Sequence, residues 1–371
     1  MVHHALCTRL CPSPPLRQAH YCVSVTTWEP DVLGDEYEQL TIPLGSDPDG
    51  EGDVRATLVR LTRSVTGPTA PTRAVLYVHG FTDYFFQRHL AEHFADLGYA
   101  FYALDLRKCG RSIGANQSPH FISDLALYDT ELDRALTIVR DETGADVLMA
   151  AHSTGGLIVP LWLDRLERTR GGAVNAGVTG LILNSPWFDL QGPPAVRSIG
   201  TVAIDLIGRV APKRSLPGDG LDTYGLSISS GGNGDWDYDL SWKPLAGFPI
   251  KLGWIRAVRR GHATLHRGLD IGVPSLILRS KVTRFSKTYI PDVDAADAVL
   301  DVRQIARWAG CLGNRTTIVP IEGARHDVFL STTDPLARAF AEMDDWLRQR
   351  RDGHLEAAPS GGDHAELATG S

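Results

Sequence analysis

The chain has 371 residues, 43% hydrophobic and 22% charged, enough for one large α/β domain or two average ones with a sizeable core. Its formal net charge of −7 argues against a nucleic-acid partner, since phosphate binding needs a basic face. No apolar run approaches the ~20 residues of a membrane span, and the start lacks the apolar core of a signal peptide, so a cytoplasmic protein is expected.

Residues 1–27 show no periodicity, are rich in Pro and His, and hold Cys7, Cys11 and Cys22; they read as a disordered extension. Val25 is a candidate alternative start, which N-terminal sequencing would test. Five cysteines without a C-x-x-C pair speak against a disulfide framework and a zinc ribbon. Tyr37 to Leu44 and Val54 to Arg63 flank the turn-rich GSDPDGEGD and predict an antiparallel hairpin. From Arg73 the pattern changes to short continuous apolar runs, RAVLYVHG, YAFYALDLR, DVLMAAHS, GLILNSP, PSLILRS and RTTIVPIEG. Between them lie helical segments: QRHLAEHFADLG, Phe121 to Thr143, Gly155 to Arg168, Val302 to Ala309 and Pro335 to Arg350. That alternation predicts an α/β fold, a mostly parallel sheet with helices on both faces. Only residues 187–268 break the rhythm. They carry no clear strand, many aromatic residues (Trp187, Trp236, Trp254 among them) and too much chain for a loop. The expected organisation is a core over 28–186 and 269–351, a cap inserted at 187–268, and a polar disordered tail at 352–371.

The run MAAHSTGGL ends an apolar strand at Ser153. In a parallel sheet ligands gather at the carboxyl ends of strands. A serine on a tight strand-to-helix turn needs small residues two before and two after it, and here these are Ala151 and Gly155, giving A-x-S-x-G for G-x-S-x-G. Ser153 could instead be a plain helix cap. Other residues favour a nucleophile. His79-Gly80-Phe81 ends an earlier strand, so the backbone N–H of Phe81 could pair with that of Thr154 as an oxyanion hole. His326 follows the last strand as the candidate base. Asp292, Asp294, Asp297 and Asp301 are candidate acids; Asp297 is preferred, with Asp301 as runner-up because it is well placed as the cap of the next helix.

Together YVHGFTDYFFQRHLAEHFADLGYAFYALDLRKCGRS and AAHSTGGLIVPLW resemble the α/β-hydrolase superfamily, most of all its monoglyceride lipase, lysophospholipase and serine aminopeptidase branch. The resemblance covers roughly residues 37–350. The branch's D-x-x-G-x-G-x-S turn is similar to Asp105–Ser112, with Lys108 in place of one glycine, and its D-x-V-V-x-P acid motif to Asp297–Val302, which supports Asp297. Departures are Ala151, the long insert before Asp297, and Pro160, whose ring predicts a kink or a reset helix start. The resemblance implies a serine esterase of lipase or lysophospholipase type acting on a small-molecule ester with an apolar acyl group, with no cofactor or metal. A serine aminopeptidase and a non-catalytic binding protein of the same fold are the alternatives. Two weaker patterns carry little. His89-Leu90-Ala91-Glu92-His93 matches H-x-x-E-H only loosely, and Asp235, Asp237 and Asp239 lack the glycine and glutamate of a calcium loop. Arg107, Lys108 and Arg111 read as a basic loop pairing with nearby acids.

Overall fold

The computed structural model describes residues 27–66, 71–169, 171–191, 205–216, 221–313 and 315–351. All but the last residue of the extension expected over residues 1–27, and the whole tail expected over 352–371, lie outside the described residues. Among the described residues nine strands form one sheet in the order β1-β2-β3-β5-β4-β6-β7-β8-β9. They are β1 (Glu29–Pro30), β2 (Tyr37–Ser46), β3 (Asp53–Leu61), β4 (Arg73–Val78), β5 (Ala100–Asp105), β6 (Asp146–His152), β7 (Val178–Asn184), β8 (Ser275–Ser280) and β9 (Thr316–Ile321). The hairpin β2–β3 is antiparallel, with a register shift between Pro43 and Gly45, and β3 runs antiparallel to β5; every pair from β5 to β9 is parallel.

The α-helices among the described residues are α1 (Thr62–Val65), α2 (Arg88–Asp96), α3 (Asp129–Thr143), α4 (Gly155–Thr169), α5 (Asp222–Ile228), α6 (Leu252–Leu265), α7 (Val302–Trp308) and α8 (Thr333–Arg351). Alternating strand side chains feed two cores. Leu76 and Val78 meet α3 and α4 through Leu132 and Leu157, whereas Val75 and Tyr77 face α2 and α8 through Phe94 and Met343. Layered burial on both faces explains why these strands read as unbroken apolar runs. The helix expected from Phe121 begins later: Asp124 accepts from the Ala126 amide and starts a 3₁₀ turn over Leu125–Tyr128, and α3 follows. At Pro160 the start is not reset, since α4 runs unbroken from Gly155. Between β7 and β8 the described residues hold no named strand, only the isolated bridges Ser215–Lys251 and Ser229–Trp236. Helix α6 from this interval is no loose appendage. Its Trp254 and Val258 join the core that contains α3 and α4.

Strand β4 is the point where the chain turns from one half of the sheet to the other, with β5 on one side and β6 on the other. The crevice above the carboxyl ends of such a pair is the natural ligand site of an open α/β sheet.

Candidate active site

Val78 of β4 lies level with Ala151 of β6, so the loops that follow meet directly. Ser153 stands just past β6 with φ +50°, a left-handed conformation rarely tolerated by a residue with a side chain. The turn holds it there. The Ser153 amide donates to the Asn184 carbonyl at 3.0 Å, and its own carbonyl accepts from the amides of Gly156 and Trp187, both at 3.0 Å. Small residues are a requirement of packing. A Cβ on Gly155 would lie 2.5 Å from the His79 carbonyl oxygen, and one on Gly80 would lie 2.9 Å from the Ser153 Cβ.

The Ser153 hydroxyl lies 3.0 Å from His326 Nε2, and His326 Nδ1 lies 2.9 Å from Asp297 Oδ2. A carboxylate only accepts, so Nδ1 carries the proton and Nε2 offers its lone pair to the serine. Asp297 is fully buried, and its other oxygen accepts the amides of Val299 and Leu300 at 2.8 and 2.7 Å. The long insert after β8 folds back on itself: Asp297 pairs with Thr283, donating its amide to the Val282 carbonyl and accepting from the Arg284 amide. That return brings the acid to the imidazole. Asp301 does not reach it and caps α7 through the Arg303 amide. Asp292 and Asp294 are paired elsewhere, with Arg284 and with Tyr289 and Arg325. Asp327, next to His326 in sequence, accepts from Asn184, Gln87 and the Phe329 amide, and so anchors the loop that carries the imidazole.

Phe81 and Thr154, whose backbone N–H groups the sequence offers as oxyanion donors, line the same cavity as Ser153 and His326. The planar peptide that carries the Thr154 N–H has its carbonyl, that of Ser153, pinned by two amides. The peptide that carries the Phe81 N–H has its carbonyl, that of Gly80, held by His79 Nδ1 at 2.7 Å, while His79 Nε2 accepts the Leu106 amide. Among the described residues neither N–H has a hydrogen-bond partner. Phe81, Ser153, Thr154 and His326 all line a cavity of about 660 Å³, within the usual size of a small-molecule site. Its walls are largely apolar and aromatic, including Trp187, Tyr224, Phe248 and Trp254 from the interval between β7 and β8. Tyr224 sets its ring edge-on to His326 at 5.5 Å. Burial first, then the acids Asp327 and Asp83, push its phenol well above the usual range, so it stays neutral.

Residues 69–287, well over half of the chain, match the model of a hydrolase family described as serine aminopeptidase, S33. The chain belongs to the serine aminopeptidase S33 family. Its fold resembles a monoglyceride lipase from Saccharomyces cerevisiae at 17% identity and TM-score 0.56, over 93% of this chain and 100% of that one. It is similar to a Paleococcus ferrophilus monoacylglycerol lipase at 19% identity and TM-score 0.51, covering 84% and 98% of the two chains. A thioesterase domain from the curacin biosynthetic pathway gives 13% identity and TM-score 0.50, with 84% and 100% covered. No curated protein matches in sequence. The architecture is thus an α/β-hydrolase fold, as the sequence motifs imply.

Within that fold the departures from the S33-like pattern are accommodated locally. Lys108 occupies its glycine position with φ +59° and sends its ammonium to Asp47 and Glu51 of the β2–β3 turn, at 2.6 and 3.1 Å. Arg107 pairs with Glu131, and Arg111 with Asp31 and Asp105, so the basic loop is neutralised internally. His89 Nε2 donates to the Phe329 carbonyl and His93 pairs with Asp344, each ring stacked on an aromatic neighbour. Asp235, Asp237 and Asp239 are exposed and do not line the cavity. Sequence reasoning missed Asp83, which binds both His152 Nδ1 and Lys243 Nζ beside the serine. The one available signal is an acid three residues after the His-Gly pair.

Proposed function

We propose that the chain is a carboxylic ester hydrolase that works through an acyl-serine intermediate. The observation that carries this reading is the buried line Ser153–His326–Asp297, at 3.0 and 2.9 Å, opening on a largely apolar cavity. His326 takes the hydroxyl proton as the serine oxygen attacks the ester carbonyl, and then gives it to the leaving alcohol. Asp297 holds the ring and balances its positive form. The Phe81 and Thr154 N–H groups receive the oxyanion. Water, deprotonated by His326, releases the acid and frees the serine. In this reading residues 187–268 form the cap, and their aromatic side chains select an apolar acyl group.

Ser153→Ala is expected to abolish both turnover of p-nitrophenyl esters and covalent labelling by a fluorophosphonate, while circular dichroism stays as in wild type. Labelling that survives the substitution would place the nucleophile elsewhere. A second reading, a serine aminopeptidase, draws on Asp222, the one carboxylate among the described cavity-lining residues and a candidate partner for a substrate ammonium. Aminoacyl p-nitroanilides measured beside p-nitrophenyl esters of rising chain length separate the two. Preference for the amides, lost in Asp222→Asn, supports the second.

A further inference from the structure

Asp83 lies outside the reacting line yet is buried beside it, at 1% exposure. Its Oδ2 accepts from His152 Nδ1 at 3.0 Å and from the Gly80 amide at 3.4 Å. One carboxylate oxygen therefore touches both loops, the Gly80–Phe81 turn and the residue before Ser153. The other oxygen takes the ammonium of Lys243 at 2.8 Å. Lys243 is 5% exposed and comes from the segment between α5 and α6. Its Nζ also reaches the Thr82 carbonyl at 3.4 Å, and the Phe248 amide donates to the Thr82 hydroxyl at 2.9 Å. Further along, the Asp239 amide donates to the Tyr84 hydroxyl at 2.7 Å. Residues 239–248 are thus stapled to residues 82–84 by side-chain and backbone bonds together.

A buried ammonium is tenable only with a matched anion. Lys243 sits among the rings of Phe86, Tyr224 and Tyr238, with Asp83 as its counter-charge. Burial alone would raise the Asp83 carboxyl, but the Lys243 charge and the His152 hydrogen bond hold it well below the carboxylate range. Removing Lys243 leaves Asp83 with His152 and the Gly80 amide, and leaves Thr82, on the flank of the Phe81 peptide, tied to the docked segment only through its hydroxyl.

We propose that Asp83 is a positioning residue that sets the two oxyanion donors against each other, and that Lys243 ties this alignment to the docking of residues 239–248. The inference rests on the reading of Ser153 as an acyl-transfer nucleophile. The physical reason is leverage. Phe81 lies between Gly80, whose amide is on Asp83, and Thr82, whose carbonyl and hydroxyl are held by the docked segment. A shift of either neighbour swings the N–H between them, and oxyanion stabilisation depends steeply on where its donors point.

The test uses the full chain and counts competent sites with a fluorophosphonate, so that turnover of p-nitrophenyl butyrate is expressed per titrated serine. Lys243→Met is expected to lower kcat per site at least fivefold with KM within threefold of wild type. A kcat per site that falls less than fivefold refutes the clamp. Should Lys243→Met fail to fold, Thr82→Val, uncharged and nearly isosteric, decides by the same threshold. Thr82→Ser, which keeps the hydroxyl, is then expected to regain the turnover that Thr82→Val loses; a serine variant as slow as the valine one assigns the loss to packing and overturns the proposal. Wild type that takes no label at all refutes the reading of Ser153 and the clamp with it. Labelled wild type with fast variants refutes the clamp alone.

Discussion

Asp297 and Asp301 are four residues apart and make different bonds. Asp297 spends one oxygen on two amides and the other on the imidazole, whereas Asp301 accepts the Arg303 amide at the start of α7. Replacing Asp297 by Asn puts a donor where the Nδ1–H needs an acceptor and favours the wrong tautomer. In serine-triad enzymes that exchange costs roughly 10⁴-fold in kcat, and Asp297→Asn is expected to act on that scale in steady-state ester hydrolysis. Asp301→Ala is expected to keep kcat and to cost about 1 kcal/mol of stability, as lost helix caps do, read by urea denaturation. An inactive Asp301→Ala of normal stability would exchange the two assignments.

At the scale of elements the tightest constraint is the contact between the turns after β4 and β6. A methyl group on Gly155 would press into the His79 and Val78 carbonyl oxygens at 2.5 and 2.8 Å, both main chain and unable to yield cheaply. Gly155→Ala is expected to destabilise by about 1–3 kcal/mol, the usual range for overpacking, and to depress kcat by displacing the Phe81 loop. Gly310→Ala, where nothing lies within 4 Å, is the control and should be silent in both measurements. This turn was legible in the sequence because its glycines and its serine sit at fixed offsets from an apolar run. His326 was legible for the same reason, standing just past the last strand. For the acid the sequence favours Asp297 over Asp301 but offers four aspartates within ten residues, and the back-pairing of 282–284 with Asp297 that brings it to the imidazole leaves no periodic trace. The Phe121 start was overread because apolar residues continue the helical period through Leu125–Tyr128, while Asp124 diverts the backbone into a tighter turn. The Asp83–Lys243 pair was invisible for want of any local pattern, its partners standing 160 positions apart.

For the molecule as a whole, buried titratable groups set the acid limit of stability. His262 in α6 donates Nε2–H to the Trp187 carbonyl at 2.9 Å. Burial, outweighing that bond, lowers its pKa from 6.5 to about 3. Between those values the unfolded chain binds a proton that the folded chain refuses, so stability is complete above the unfolded pKa and declines as pH falls. From pH 7 to pH 5 this one group is expected to remove ~2 kcal/mol, by linkage. His262→Gln should show a correspondingly smaller difference between urea midpoints at the two pH values; an unchanged difference would mean that the ring is not the titrating group. Glu51 acts lower on the scale. Burial would raise its carboxyl, but Lys213, the Ser118 amide and Lys108 bring it from 4.5 to about 2, so its share is present above pH 4.5 and is lost on acidification through that interval.

The order in which the strands enter the sheet has a further consequence. The hydroxyl is translated at residue 153 and the acid at 297, but the imidazole comes only at 326, after β9, an edge strand and the last to be made. A ribosome still short of that point displays Ser153 without the imidazole that hydrogen-bonds it in the finished fold. On the proposed reading, chemical competence arrives in a single late event, and a prematurely terminated chain that kept most of the sheet but lacked residue 326 is expected to be inert toward esters.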